Sequence, residues 1–420
     1  MIIKKLSDVI GNTPLIEIEK KVHGLKNVNL YAKLELLNPY GSLKDRVAKN
    51  ILELDKAKGK IVIESSSGNT AKALGGICNS ENLKFLTVTN RIKQPEIREI
   101  LQVMGTNIEE YQGKSDCPDP NDINDPIQII ENKVKENPQK YFHTDQYFNI
   151  KNIKAHNITG EEIFSDLKKI DYFFGYLGTC GSTRGVGEIL KEKSKTKIIG
   201  IYTKQGEYVP GGRDESELYE SGLFDKLFYD DFESGTINES IEGMLILNRK
   251  CGIPCGPTSG LSYMSVLKYL SNLNLKEEIN VVFIVCDRLE PYMSYIKKYK
   301  PSIFSANKEK QEDLFSQIEL DDIIKSPEIE LEKIEENAYL IDIRSNFAFN
   351  FNNIKNSINI PEQTLIELLR NKNTFPKNRQ VVLICPKGTI SKKYVAVLEQ
   401  QGVDAYSLKG GIIGIKNKFT

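Results

Sequence analysis

The sequence predicts an α/β protein built on parallel sheets. Short β-branched or aromatic runs alternate with amphipathic helical stretches along 420 residues, the pattern of repeated strand–helix units. The run Val281-Val282-Phe283-Ile284-Val285, continuing into Cys286-Asp287-Arg288, reads as a buried parallel strand. The length is too great for one compact domain, and the pattern changes near residue 300. Residues 302–317 are rich in Lys, Glu, Gln and Ser with no sustained apolar period, which suits a connector.

Composition excludes several classes of partner. Lys plus Arg (57) equals Asp plus Glu (57), so no net field draws in nucleic acid or an anionic membrane. The opening Met1-Ile2-Ile3-Lys4-Lys5 lacks a signal-peptide apolar core, and no apolar run is long enough to span a bilayer. Seven scattered cysteines, an odd number, point to reduced thiols and a cytoplasmic setting. Cys251 and Cys255 lack a second ligand pair, and Asp116-Cys117-Pro118-Asp119-Pro120-Asn121-Asp122 lacks the glycine and terminal glutamate of a calcium loop. No metal is expected, and the acidic stretch reads as an ordered surface loop.

The chemistry-bearing segments follow in order. After Gly11-Asn12-Thr13-Pro14-Leu15 comes Asn38-Pro39-Tyr40-Gly41-Ser42-Leu43-Lys44-Asp45-Arg46. Next, Ile61-Val62-Ile63 leads into Ser65-Ser66-Ser67-Gly68-Asn69-Thr70 and a helical stretch, a strand–loop–helix unit. A helix N-terminus offers unpaired N–H groups and partial positive charge, so this loop can hold a carboxylate, with Ser66, Ser67 and Thr70 adding hydroxyl donors. Gln146 and Asn149 follow. Then Gly178-Thr179-Cys180-Gly181-Ser182-Thr183-Arg184-Gly185 succeeds the strand-like Tyr172-Phe173-Phe174, and its glycines let successive N–H groups nest an anion. Last, Gly256-Pro257-Thr258-Ser259-Gly260 opens a helix. Each segment alone has a plainer reading: a solvated helix start at Lys44, an N-cap cluster, a surface glutamine, an ordinary glycine loop. None of those explains their order along one chain.

Taken in that order, the segments resemble the cysteine synthase and cystathionine β-synthase family of pyridoxal phosphate (PLP) enzymes over about residues 1–300. The resemblance implies that Lys44 anchors the cofactor aldehyde and then serves as base at the substrate Cα. It implies that Asn69 faces the cofactor's ring hydroxyl, and that Ser66, Ser67, Thr70 and Gln146 grip the substrate carboxylate. Gly178, Thr179, Cys180, Gly181 and Ser182 form the phosphate loop, with Cys180 departing from the family's usual glycine or threonine and Arg184 from a neutral residue. Thr258 sets a neutral hydroxyl against the pyridine nitrogen, a milder electron sink that suits β-elimination and β-replacement. The implied architecture is the two-domain PLP fold of the tryptophan synthase β and cysteine synthase type, with a mobile smaller domain at about residues 40–148 and a homodimeric assembly.

The remaining chain is predicted as a linker at residues 302–318 and a further α/β domain at 319–420. Tyr339-Leu340-Ile341-Asp342-Ile343-Arg344, then Ile358-Asn359-Ile360-Pro361, then Val381 to Ser391, then Leu408-Lys409-Gly410-Gly411 resemble a rhodanese domain. Cys385 fits the Cys-x-x-Gly-x-x-Ser spacing in which a strand delivers the thiol to a helix N-terminus. That placement, with Lys387, Lys392 or Lys393 nearby, favours a thiolate able to hold a terminal sulfur. Two scaffold features differ from the family: its His-x-x-Gly-Ala stretch is Asn353-Ile354-Lys355-Asn356-Ser357 here, and no aromatic follows the terminal glycines.

Together these features predict β-replacement on a serine-derived amino acid by a sulfur nucleophile, the sulfur arriving as a persulfide on Cys385. A flexible connector of about 16 residues would reach roughly 20–24 Å. Two alternatives stay open: the sulfur-releasing direction, with Cys385 as acceptor, and a C-terminal unit that binds or regulates without transferring sulfur. Arg184 and Arg213 are cations that PLP binding does not require, placed either in structural ion pairs or against an anionic part of the substrate.

Overall fold

The structure is a computed structural model describing residues 2–90, 92–111, 124–305, 318–370 and 375–416. The acidic stretch 116–122 and most of the predicted linker lie outside the described residues. The chain divides into two compact units, Met1–Ile303 and Phe304–Thr420. Ser302–Ser305, read from sequence as the start of a connector, is a helical turn.

The first unit holds two sheets. The larger has six strands in the order Leu15–Ile18, Val28–Leu34, Ile279–Val285, Tyr172–Tyr176, Lys197–Thr203, Asp231–Gly235. All pairings are parallel except the first, where Leu15 lies opposite Lys33 in an antiparallel pair. This exception to the parallel expectation has a simple cause. Only the helical turn Lys20–His23 joins the two strands, whereas parallel pairing needs a crossover of about a dozen residues or more. The smaller sheet is fully parallel, in the order Asn107–Glu110, Lys84–Thr89, Ile61–Ser65, Tyr141–His143.

Successive strand residues point to opposite faces, so Phe173 and Phe174 enter different cores. Phe174 packs with Met244, Leu261 and Val266 from the helices Ile237–Lys250 and Pro257–Ser271. Phe173 packs with Ile163, Val186 and Leu190 from Lys151–Leu167 and Gly181–Ser194. Both rings are fully buried, each contributing roughly 1.5–3 kcal/mol. Two-sided burial also accounts for the unbroken apolar run at 281–285, whose members alternate between the same two cores.

The second unit is a parallel five-stranded sheet in the order Glu328–Ile329, Ala405–Leu408, Val381–Ile384, Tyr339–Asp342, Ile358–Asn359. Its central strand, Val381–Ile384, is buried throughout and carries Cys385 at its C-terminal end.

Candidate active site

In parallel sheets, ligand sites form beyond the carboxyl ends of the strands. In the first unit, segments leaving the strand ends of both sheets line one cavity of about 480 Å³. Lys44, Ser66, Ser67, Asn69, Thr70, Gln146, Gly178, Thr179, Ser182 and Thr258 all contribute to its wall.

Lys44 opens the helix Lys44–Ile51, and its Nζ donates to Thr179 Oγ1 at 3.1 Å. Burial lowers its pKa to about 8, against the opposing pull of Cys286, Cys180 and Glu64. Thr179 Oγ1 also accepts from Asn152 Nδ2 at 3.0 Å, so the hydroxyl that meets the lysine is itself held.

Asn69 begins the helix Asn69–Ser80. Its Nδ2 donates to Asp287 Oδ2 at 2.7 Å and to the Tyr292 hydroxyl at 3.2 Å, and Tyr292 donates in turn to Asp287. The amide oxygen is thereby turned away from these partners. Asn69 Oδ1, Thr258 Oγ1 and Asp287 Oδ1 are buried atoms with no hydrogen-bond partner among the described residues. Buried polar atoms are rarely left so unless a bound molecule supplies the partner. Burial raises the Asp287 carboxyl to about 6, opposed chiefly by the Tyr292 hydrogen bond.

The four carboxylate-grip residues come together. Ser66 Oγ accepts from Ala71 N at 3.1 Å, and Ser67 is exposed. Thr70 Oγ1 donates to Gln146 Oε1 at 2.7 Å, and Gln146 Nε2 donates to Ser65 O at 2.7 Å. Gln146 is 3 % exposed, which excludes the plain surface-glutamine reading.

In the phosphate loop, Gly178, Thr179 and Ser182 line the cavity, while Cys180 and Gly181 do not. Cys180 corrects a sequence expectation. Its side chain packs in an apolar cluster with Val186, Leu190 and Tyr229, away from the cavity wall. Its φ of +65° lies in the left-handed region that favours glycine, which accounts for the residue usual in the family. Arg184 also stays outside: Nη1 donates to Leu223 O at 3.0 Å and Nη2 lies 3.6 Å from Glu188. Arg213 does line the cavity, its guanidinium 5.5 Å from the Tyr147 ring centroid and Nη1 donating to Glu217 O at 2.6 Å.

A match to the pyridoxal-phosphate dependent enzyme family runs over residues 6–287. The chain belongs to that family. PLP is its cofactor, and a rhodanese-like domain matches residues 326–418. Similar proteins include cysteine synthase B of Pseudomonas aeruginosa (29 % identity over 69 % of this chain and 95 % of that one) and cysteine synthase of Aquifex aeolicus (30 %, 66 % and 86 %). Among solved structures, the O-acetylserine dependent cystathionine beta-synthase of Helicobacter pylori matches with a TM-score of 0.62 at 25 % identity, covering 70 % of this chain and 98 % of that one. A hydrogen sulfide-producing enzyme of Fusobacterium nucleatum matches with a TM-score of 0.61 at 28 % identity, covering 70 % and 99 %.

The cavity fits the cofactor of this PLP enzyme. An amine, three unpartnered polar atoms and a glycine loop at the N-terminus of Gly181–Ser194 would supply the anchor, polar ring contacts and anion nest that PLP requires. Sequence reading does not single out Tyr292, Asn152 or Glu64, and it takes in Asp287 only within the run that ends the buried strand. Asp287 had one visible signal, its place just past a buried strand.

In the rhodanese-like unit, Cys385 Sγ accepts from Gly388 N and from Ser391 Oγ, each at 3.1 Å, and Ser391 Oγ lies 2.8 Å from Ser407 Oγ. The expected cations do not supply these contacts: Lys392 pairs with Glu328 at 3.0 Å, and Lys387 and Lys393 are exposed. Gly411, at φ +58°, packs onto the loop so closely that a Cβ there would sit 2.3 Å from Cys385 O.

Proposed function

We propose that this enzyme carries out β-replacement on a serine-derived amino acid with a sulfur nucleophile, and that Cys385 supplies the sulfur as a persulfide. The observation that carries the first half is the shared cavity, which sets the Lys44 amine beside the Ser66, Ser67, Thr70 and Gln146 set. When bound, PLP supplies an aldehyde for the substrate amine and a conjugated ring that takes up the electron pair of the broken Cα–H bond. Ser66, Ser67, Thr70 and Gln146 hold the substrate carboxylate, which fixes the rotation of Cα. Lys44 Nζ, with its pKa near 8, takes the Cα proton; the β-substituent leaves with its bonding pair, sulfur bonds to the β-carbon, and the lysine returns a proton to Cα.

For the second half, the Cys385 thiolate takes the outer sulfur of thiosulfate, releasing sulfite, and two thiol groups of a reductant then reduce the persulfide, releasing its outer sulfur as sulfide and leaving the Cys385 thiol and a disulfide. Gly388 N and Ser391 Oγ both direct donors at Cys385 Sγ, the atom that would carry the terminal sulfur. We place the enzyme as a homodimer, as the family resemblance implies, in a reducing compartment such as the cytoplasm. The six cysteines among the described residues are all free. No helix among those residues is long and apolar enough to cross a membrane.

The sulfur-releasing direction is the second reading, favoured by the likeness to a hydrogen sulfide-producing enzyme. Incubating the holoenzyme with O-acetylserine, O-phosphoserine or cysteine, each with and without thiosulfate and a thiol, separates the two. Thioether or cysteine formation supports replacement. Sulfide and pyruvate from cysteine alone support release.

A further inference from the structure

We infer that Glu64, which does not line the cavity, is the positioning residue that sets the two halves of the carboxylate grip at their working separation. This rests on the reading of Ser66, Ser67, Thr70 and Gln146 as that grip.

Glu64 sits on the strand Ile61–Ser65 and is fully buried. Its carboxyl accepts three donors from two distant segments. Oε1 takes Ser65 N at 2.8 Å, at the root of the serine loop. Oε2 takes Gln146 N at 3.1 Å and the Thr144 hydroxyl, from the segment leaving the neighbouring strand Tyr141–His143. One side chain therefore clamps the backbone of both segments just before they present their ligands. The cross-links further out depend on that clamp: Gln146 Nε2 to Ser65 O, and Thr70 Oγ1 to Gln146 Oε1. Thr87 completes the arrangement from the other neighbouring strand, donating to Ser66 O.

A buried carboxyl is a costly choice for simple packing, since burial raises the Glu64 pKa to about 8 against the stabilising hydrogen bonds from Thr144, Gln146 and Ser65. What it provides, and an apolar residue cannot, is an acceptor that ties the end of its own strand to the Thr144–Gln146 segment. Glu64 makes no hydrogen bond to Lys44 or to the Gly178 loop among the described residues, but its carboxyl helps hold the Lys44 pKa up, so substrate binding rather than turnover is the readout that isolates its role in the grip.

The test uses the full PLP-loaded chain and titrates the cofactor's visible absorption with O-acetyl-L-serine and, separately, with its carboxamide. Glu64→Ala should weaken binding of the amino acid by about tenfold or more while leaving the carboxamide within about twofold. Glu64→Gln, which keeps one acceptor, should fall between, and cofactor content should match wild type in both. Thr70→Ala, which alters the grip directly, is the control on the underlying reading. If Thr70→Ala weakens amino-acid binding and Glu64→Ala does not, the role of Glu64 is overturned; if Thr70→Ala leaves it unchanged, the grip itself is misassigned. Should Glu64→Ala not fold, Glu64→Gln and Thr144→Val decide: both should lower the ratio of acid to carboxamide affinity, and an unchanged ratio in both overturns the inference.

Discussion

Arg46, on the helix that Lys44 opens, forms a buried two-point ion pair with Glu35, Nε to Oε2 at 2.7 Å and Nη2 to Oε1 at 2.8 Å. Glu162 adds contacts to Arg46 Nη1 and Nη2 at 2.8 Å each and to Lys33 Nζ at 2.7 Å, and Thr13 Oγ1 donates to Glu35 at 2.6 Å. The strand Val28–Leu34, the helix Lys151–Leu167 and the opening Gly-Asn-Thr segment thus converge on the helix that Lys44 opens. Deleting one partner strands buried charge, so Arg46→Ala should lower stability by about 3–5 kcal/mol, read from thermal or denaturant unfolding. Despite the opposing effect of burial, Arg46 and Lys33 hold the Glu162 carboxyl down at about 2. Its contribution is therefore present above the ordinary glutamate range and fades as pH falls through 4.5 toward 2. Glu162→Gln should flatten that part of the stability curve.

Lys44→Ala should abolish turnover and remove the absorption band of the lysine-linked cofactor, any retained PLP being present as the free aldehyde or joined to a substrate amine. In the wild type, the Lys44 pKa near 8 predicts a rate that rises with pH through that value as the amine loses its proton. Wild-type turnover in Lys44→Ala would remove the base assignment.

The two arginines should separate in a leaving-group assay. Arg213 lines the cavity, so Arg213→Ala should shift the preference between O-phosphoserine and O-acetylserine by about tenfold or more, equivalent to about 1.4 kcal/mol. Arg184 is occupied with Leu223 and Glu188, and Arg184→Ala should leave the same ratio within about twofold. The measurement is kcat/KM for each substrate.

Cys385→Ser should remove product formation supported by thiosulfate plus thiol yet leave the reaction with free sulfide within about twofold, because Lys44, Asn69 and the carboxylate grip lie in the other unit. Equal use of both sulfur sources by wild type and Cys385→Ser would favour a C-terminal unit that binds or regulates.

What the sequence made legible was local. Lys44, the Ser65–Thr70 loop, the Gly178 loop and Cys385 each sit where a strand leads through a loop into a helix, and Thr258 sits in the first turn of a helix, where a few consecutive residues announce both the turn and the exposed N–H groups. The partners that aim those residues were not legible. Asn69 and Asp287 are 218 positions apart, and Arg46 and Glu162 are 116 apart, so only the folded topology joins them. Cys180 shows the opposite limit. Its position in the motif was plain, but the turn of its side chain into the core follows from a backbone angle that the motif does not spell out. The lysines near Cys385 were overrated for a related reason: proximity along the chain says nothing of whether another acid claims the charge first, as Glu328 does for Lys392.

The rhodanese-like sheet ends on each side in a strand of two residues, Glu328–Ile329 and Ile358–Asn359. An edge that short offers a stray extended chain almost nothing to pair with, and edge pairing is how exposed sheets recruit further copies into aggregates. The outline of this sheet therefore leaves little edge for self-association, independently of surface charge.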